Sequence, residues 1–303
     1  MFEKLTVTLF LAVCLGAPAV AAPPLRAAVT NSDLAAVTTE LGGPAVEVTC
    51  LVPSRMNPHA MPLRPSMVQK VREADLLITI GLDHEPWLQD LTTASGNGSV
   101  QTGGPGYVDC SAGVRILRVP TGPVDRRAGD LHIFGNTHYW LDPANIRIAA
   151  VHILKALCKK RPDQTDALRD RARKFLTDLD AKMVDWKRRL APFHGVKLVT
   201  YHESWPYLEA FAGFQVLGTV EMRPGIEPSP AHLAKLAQAM RQAGVKLLLM
   251  APCYNRRQAE SAAKASGAKV VSLEPSTAEG KRYSEHMEML ISRLEAEFKA
   301  LMH

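Results

Sequence analysis

Residues 163–190, DQTDALRDRARKFLTDLDAKMVDWKRRL, decide how the chain is organised. The stretch runs about 28 residues without glycine or proline, and sets Ala167, Phe175, Leu179, Met183, Trp186 and Leu190 among charged side chains. Pro162 opens it, and Pro192 and Gly195 close it, the punctuation expected at the two ends of a helix. At about 1.5 Å per residue the helix is about 40 Å long, enough to cross a whole molecule and tie two lobes together. The alternative is a pair of shorter helices with a break between them.

Outward from this stretch, short apolar runs alternate with helical patterns. Upstream, Leu25–Val29, Val46–Val52, Asp75–Ile80 and Val114–Val119 read as strands. Downstream, Val196–Thr200, Phe214–Thr219, Val245–Met250 and Lys269–Leu273 read the same way. Between them lie helical stretches such as Ser32–Leu41, Pro65–Glu73, Pro230–Ala243 and Asn255–Ser266. This alternation predicts parallel sheets in an α/β architecture. Ser95–Gly106 and Thr121–Asn136, rich in Gly, Ser, Thr and Pro, read as loops.

The start of the chain sets the expected compartment. Lys4 precedes the apolar run Leu5–Leu15, and Ala19-Val20-Ala21 puts small residues where a signal peptidase reads them. Cleavage after Ala21 is expected, and export follows. The run is shorter than the roughly 20 residues a membrane span needs. Lipidation at Cys14 is disfavoured by the bulk of Val13. About 280 residues remain, enough for two lobes of ordinary size.

The net charge of +6 is dispersed among acidic residues, as in Arg169 to Arg173 beside Asp166, Asp170 and Asp178. No basic tract with interleaved aromatics appears, so no nucleic-acid partner is expected. Cys50, Cys110, Cys158 and Cys253 remain after cleavage, in a compartment that permits disulfides. A disulfide is expected, but the spacings do not choose among the three pairings. The absence of Cys-x-x-Cys argues against a structural zinc knuckle.

Of ten histidines, most read as bland. His84, His152, His194, His232 and His286 are expected on surfaces or helix faces, and His303 is terminal. His59 and His202 differ, because each follows the carboxyl end of a predicted strand, where parallel sheets bind ligands. Glu274 follows another such strand. His138 precedes a helix start marked by Asp142 as N-cap and Pro143 in the first turn. Three neutral imidazoles and a carboxylate would make a tetrahedral zinc shell, whereas more oxygen ligands would suit manganese. The spacing of the four in sequence does not itself show that they converge.

The sequence resembles the zinc and manganese class (cluster A-I) of ABC-transporter solute-binding proteins. The likeness begins with Val29-Thr30-Asn31-Ser32-Asp33-Leu34, Leu41-Gly42-Gly43, Val46-Glu47-Val48-Thr49 and Asn57-Pro58-His59. It continues through Pro65-Ser66, Ala74-Asp75-Leu76, Gly81-Leu82 and Glu85-Pro86-Trp87-Leu88. The most specific stretch is His138-Tyr139-Trp140-Leu141-Asp142-Pro143. Thr200-Tyr201-His202, Glu227-Pro228-Ser229-Pro230 and Gly267-Ala268-Lys269-Val270-Val271 follow in order.

The resemblance implies two Rossmann-like lobes with parallel sheets, joined by a long rigid helix, with the metal in the cleft between them. The expected divisions are a signal peptide (residues 1–21), an N-terminal lobe (22–161), the linker helix (162–192) and a C-terminal lobe (193–303). It implies Zn2+ as the transported ligand, held by His59, His138, His202 and Glu274. It also implies a monomer that delivers zinc to the membrane permease of an ABC importer. A periplasmic metallochaperone could load it, although the sequence carries no sign of one.

The chain departs from the family pattern in three places. The loop before His138 holds only His132, so a histidine-rich collecting loop is absent. Asn57 stands where an aspartate is usual, and Ala251-Pro252-Cys253-Tyr254 lacks the usual acid before its proline. Glu203 beside His202 leaves open which of the two side chains points inward. Other readings are a manganese receptor of the same fold, a surface adhesin or metal buffer, and a zinc hydrolase. His202-Glu203-Ser204-Trp205-Pro206 only faintly resembles the His-Glu-x-x-His motif, because proline replaces the second histidine. Four protein ligands would also close the coordination position that a catalytic zinc keeps open. The expectation is metal capture without catalysis.

Overall fold

The computed structural model describes residues 22–121, 133–221 and 225–302. The expected export segment and His132 lie outside these residues.

The first half of the chain builds one parallel sheet from β1 (Leu25–Val29), β2 (Val46–Cys50), β3 (Leu76–Thr79) and β4 (Tyr107–Asp109), in the order β2-β1-β3-β4. Its helices are α1 (Ser32–Gly42), α2 (Pro65–Arg72), α3 (Leu88–Ser95) and α4 (Pro143–Lys160). Then comes α5 (Thr165–Leu190), continuous over 26 residues and about 39 Å long. The second half repeats the plan with β5 (Lys197–Thr200), β6 (Gln215–Thr219), β7 (Leu247–Met250) and β8 (Lys269–Ser272), in the order β6-β5-β7-β8. Its helices are α6 (Pro206–Ala212), α7 (Pro230–Gln242), α8 (Arg256–Ser266) and α9 (Tyr283–Lys299).

All strand pairs are parallel. The inner strands β3 (LLIT) and β7 (LLLM) are buried along their whole length. Their near-continuous apolar character, broken only by Thr79, is what a sheet covered on both faces demands. In each sheet the strand order reverses beside the first strand, so the loops leaving the carboxyl ends there flank a crevice.

The long helix is one element, with a single 3-10 turn (Pro162–Gln164) ahead of it. Its buried stripe is Leu168, Ala172, Phe175, Leu179, Trp186 and Leu190, a helical i, i+3/i+4 spacing. Ala167 is exposed and Leu168 takes its place, so the stripe begins one residue later than the sequence reading put it, while Phe175, Leu179, Trp186 and Leu190 are buried as read. The first half of the helix grips the first lobe. Arg171 donates to the carbonyls of Leu41 and Gly42 at 2.8 and 2.9 Å, satisfying acceptors at the end of α1. The second half grips α9, where Trp186 Nε1 and Arg189 Nη1 donate to Glu288 at 2.8 and 2.6 Å, and Arg189 Nε to Glu295 at 2.9 Å. One apolar core runs from Leu25 through this stripe to Phe298. A shared core of this kind resists wide hinging of the lobes.

Two expectations need correction. Val114–Val119 forms no strand; it is a loop, with an isolated bridge from Leu117 to Asn136 and a left-handed backbone at Arg118. The fourth strand is Tyr107–Asp109, whose three residues are too few to register as an apolar run. The expected disulfide does not form, and Cys50, Cys110, Cys158 and Cys253 are all thiols. Cys50 ends β2 at one edge of its sheet and Cys110 follows β4 at the other. Three strand spacings of about 4.8 Å keep them far beyond the roughly 7 Å limit for a disulfide. Cys158 lies on α4, and Cys253 is exposed on the loop after β7.

Candidate metal centre

The loops at the carboxyl ends of the strands converge on a group of imidazoles. After β2, Pro58–Ala60 forms a 3-10 turn whose cap, Asn57, accepts from His59 N at 3.0 Å. Asn57 thus fills the capping role of the more usual aspartate. The turn buries His59 and aims its ring inward. His138 opens the 3-10 turn Tyr139–Leu141, which leads into Asp142, the N-cap of α4. His202 follows β5 and is 4% exposed, whereas Glu203 is 51% exposed and pairs with Arg118 at 3.7 Å. The histidine is therefore the inward side chain of that pair. Residues 202–205 precede α6, which begins at Pro206, so the segment is no metalloprotease helix.

The rings lie close together. Centroid separations are 5.3 Å for His59–His138, 5.5 Å for His138–His202 and 5.8 Å for His59–His202. Imidazoles around one tetrahedral zinc fall about 5 Å apart. His59 Nε2 and His138 Nε2 are separated by 3.3 Å. Two nitrogens each about 2.0–2.1 Å from a tetrahedral zinc are about 3.3–3.4 Å apart, so this pair already spans one edge of such a shell.

Each of the three rings has its other nitrogen beside an oxygen acceptor. His59 Nδ1 lies 3.2 Å from the His84 carbonyl, His138 Nδ1 3.3 Å from Asn136 Oδ1, and His202 Nδ1 2.7 Å from Glu221 Oε2. A proton on Nδ1 satisfies each acceptor and leaves the lone pair on Nε2, the tautomer a metal needs. Asn136 also donates to the Glu203 carbonyl at 2.7 Å, linking the His138 loop to the loop that carries His202. Tyr254 stacks on His202 with centroids 5.2 Å apart and steadies that ring.

His84 was expected on a surface or helix face and is instead fully buried. Its ring lies 4.7 Å from that of His59 and 5.5 Å from that of His138. One ligand atom from each of His59, His84 and His138 can be chosen so that all lie within 4.8 Å of one another. The turn that delivers His84 is tight, because Gly81, Leu82 and Asp83 all have left-handed φ, at 77°, 59° and 56°. For Leu82 that conformation is costly and persists only where the surroundings enforce it, whereas Asp83 tolerates it more readily. Glu85 does so from below, accepting from Ile80 N at 3.0 Å and from the Thr30 hydroxyl. Burial pushes its carboxyl up to about 7. The signal for His84 was available, since it follows β3 as His59 follows β2. His286, expected on a surface or helix face, is buried on α9.

Glu274 follows β8, and the structure gives its carboxylate a partner across the cleft: Arg55 Nε donates to Glu274 Oε1 at 2.8 Å. The next residue, Pro275, accepts from Trp140 Nε1 at 2.9 Å, and the Trp140 ring packs against His84 and His138 at 5.1 Å each. Glu221, Asn136 and Tyr254 were also not singled out from the sequence. Glu221 alone had a positional cue, as an acid just past β6.

Comparison with known proteins fits this geometry. The high-affinity zinc uptake system protein ZnuA of Yersinia pestis is 25% identical over 240 residues, 74% of each chain. The zinc-binding lipoprotein AdcA of Streptococcus pneumoniae is 23% identical over 270 residues, and this chain spans only 52% of AdcA's length. Among solved structures, a crystal structure of ZnuA superposes with a TM-score of 0.77 at 23% identity, covering 90% of this chain and 98% of that one. FpvC of Pseudomonas aeruginosa, in complex with Mn2+, gives a TM-score of 0.75 at 23% identity, covering 91% and 99%. These structures share the fold of two parallel α/β lobes. The profile of one family, described as zinc-uptake complex component A, periplasmic (ZnuA), matches residues 28–297, and the chain belongs to that family.

Proposed function

We propose that this chain captures zinc in the cleft between its lobes and delivers it to the membrane permease of an ABC importer. The observation that carries this reading is the 3.3 Å separation of His59 Nε2 and His138 Nε2, with each Nδ1 facing an oxygen acceptor. His59 and His138 bind from the first lobe and His202 from the second. A metal that joins them holds the lobes together, and the shared core limits the rearrangement to a small one.

Neutral nitrogen donors favour zinc over manganese, which prefers oxygen. The relatives named for zinc uptake support the same choice, whereas FpvC, in complex with Mn2+, shows that the fold also holds manganese. The signal-like start supports a periplasmic setting for this work. Among the described residues no helix is long and apolar enough to cross a membrane. Capture and release break no covalent bond, so the histidines act as ligands with no catalytic part. Unloading follows when the permease, docked across both lobes, draws His202 away from the other two.

His138→Ala tests the reading. Zinc affinity, measured by competition with a chromophoric chelator, falls at least tenfold. An unchanged titration would overturn the assignment.

A further inference from the structure

Three imidazoles leave one corner of a tetrahedral zinc open, and two side chains are candidates for it: Glu274, which the sequence offered, and His84. Glu274 lies at the carboxyl end of β8, and its carboxylate is held by the Arg55 guanidinium at 2.8 Å. Arg55 engages Oε1, so only Oε2 remains for a metal, and the cation would share this carboxylate with a guanidinium. His84 needs no such sharing. It is fully buried, its ring faces His59 and His138, and it belongs to the group of three whose ligand atoms lie within 4.8 Å of one another.

The surroundings of His84 repeat those of the other three. His84 Nδ1 lies 2.8 Å from Thr137 Oγ1. With the proton on Nδ1 and directed at that hydroxyl, Nε2 carries the lone pair, as in His59, His138 and His202. Trp140 packs edge-on against the ring, with centroids 5.1 Å apart, and restricts its rotation. The left-handed backbone at Leu82 and Asp83 adds a further sign. Strain of this kind is retained where it positions a functional group. A surface histidine would not require it.

We infer that His84 is the fourth zinc ligand, so that the site is a four-imidazole cage and Glu274 serves as the partner of Arg55 across the lobes. This rests on the zinc-receptor reading and sharpens it. His59, His84 and His138 all come from the first lobe and form a preassembled three-nitrogen face. His202, backed by Glu221, is the single contribution of the second lobe. A shell of four neutral nitrogens leaves the zinc charge uncompensated by any direct carboxylate. It therefore selects for zinc and against manganese more strongly than a shell with one carboxylate would.

The test uses the full chain loaded with one equivalent of zinc. X-ray absorption at the zinc edge should show four nitrogen donors with the scattering pattern of four imidazoles. His84→Gln should reduce the imidazole count to three, lower zinc affinity at least tenfold and narrow the preference for zinc over manganese. Glu274→Gln should leave zinc affinity within about twofold. The inference is overturned if the unsubstituted chain shows a carboxylate on zinc, or if Glu274→Gln costs tenfold while His84→Gln costs nothing. Should His84→Gln fail to fold, the spectrum of the unsubstituted chain and the Glu274→Gln titration still decide. A chain that binds zinc through His138 yet ignores His84 refutes this inference alone. A chain indifferent to His138→Ala refutes the receptor reading with it.

Discussion

β3 and β7 hold the same place in sheets of the same strand order, and both are buried throughout, yet the chain leaves them differently. After β3, a left-handed turn at residues 81–83 delivers the buried His84, held from below by Glu85. After β7, the loop 251–254 delivers Tyr254, an aromatic that stacks on a histidine from the neighbouring strand. β2 leads to His59, whereas the corresponding β6 leads to Glu221, a carboxylate that orients His202. The first lobe thus presents imidazoles directly to the position proposed for the metal. The second presents one imidazole and supports it from the loops after β6 and β7. Two sheets with one topology can divide a binding site this unequally because the loops, not the strands, carry the chemistry.

The comparison requires that both lobes rest on one support, which Trp186→Ala probes with the largest expected effect. Trp186 is fully buried on α5, and its loss should cost about 3–5 kcal/mol of stability in urea unfolding. The variant should still unfold in one transition, since the core is continuous. Two separated transitions would show that the lobes fold independently and that α5 is only a tether.

Next in size is the contribution of the second lobe. His202→Ala should weaken zinc at least tenfold while leaving one zinc per chain, held by the imidazoles of the first lobe. Complete loss of binding in equilibrium dialysis would show that the first lobe holds no metal alone, and the asymmetry would collapse. Glu221→Gln should fall near the lower end of the roughly 10–100-fold range for groups that orient a ligand. An effect as large as that of His202→Ala would make Glu221 a ligand in its own right.

The sequence revealed the fold more fully than the site. The α5 stretch announced itself by length, by apolar spacing and by the prolines around it. Seven of eight strands were readable because buried parallel strands are apolar runs. The eighth, Tyr107–Asp109, is only three residues long and gave no pattern. For the candidate site, position after a strand points to His59 and His202, and the resemblance points to His138. His84 satisfied the same positional rule and was passed over, because a single polar residue in a turn looks like surface. Its burial depends on a backbone conformation at Leu82 and Asp83 that residue identity does not announce. Asn136 and Tyr254 act through contacts across loops distant in sequence, which no local pattern encodes.

The smallest expected effect concerns acid. Glu288 is partly desolvated, which opposes ionisation, but hydrogen bonds from Trp186, Arg189 and Ser292 prevail and hold its carboxyl down at about 2. A depressed carboxyl pKa contributes stability above its unfolded value, near 4.5, and that contribution is lost as pH falls from there towards 2. Acid titration of Glu288→Gln should therefore show a shallower loss of stability between about pH 4.5 and 2 than the unsubstituted chain. Identical slopes would mean that the α5–α9 contact contributes little to holding the second lobe on its support.

If the cleft histidines make a zinc site, the metal-free chain dialysed against equal concentrations of zinc and manganese should retain one zinc per chain and little manganese, and His138→Ala should weaken that retention at least tenfold. Retention of manganese in preference to zinc, or of neither metal, would show that the histidines do not make one.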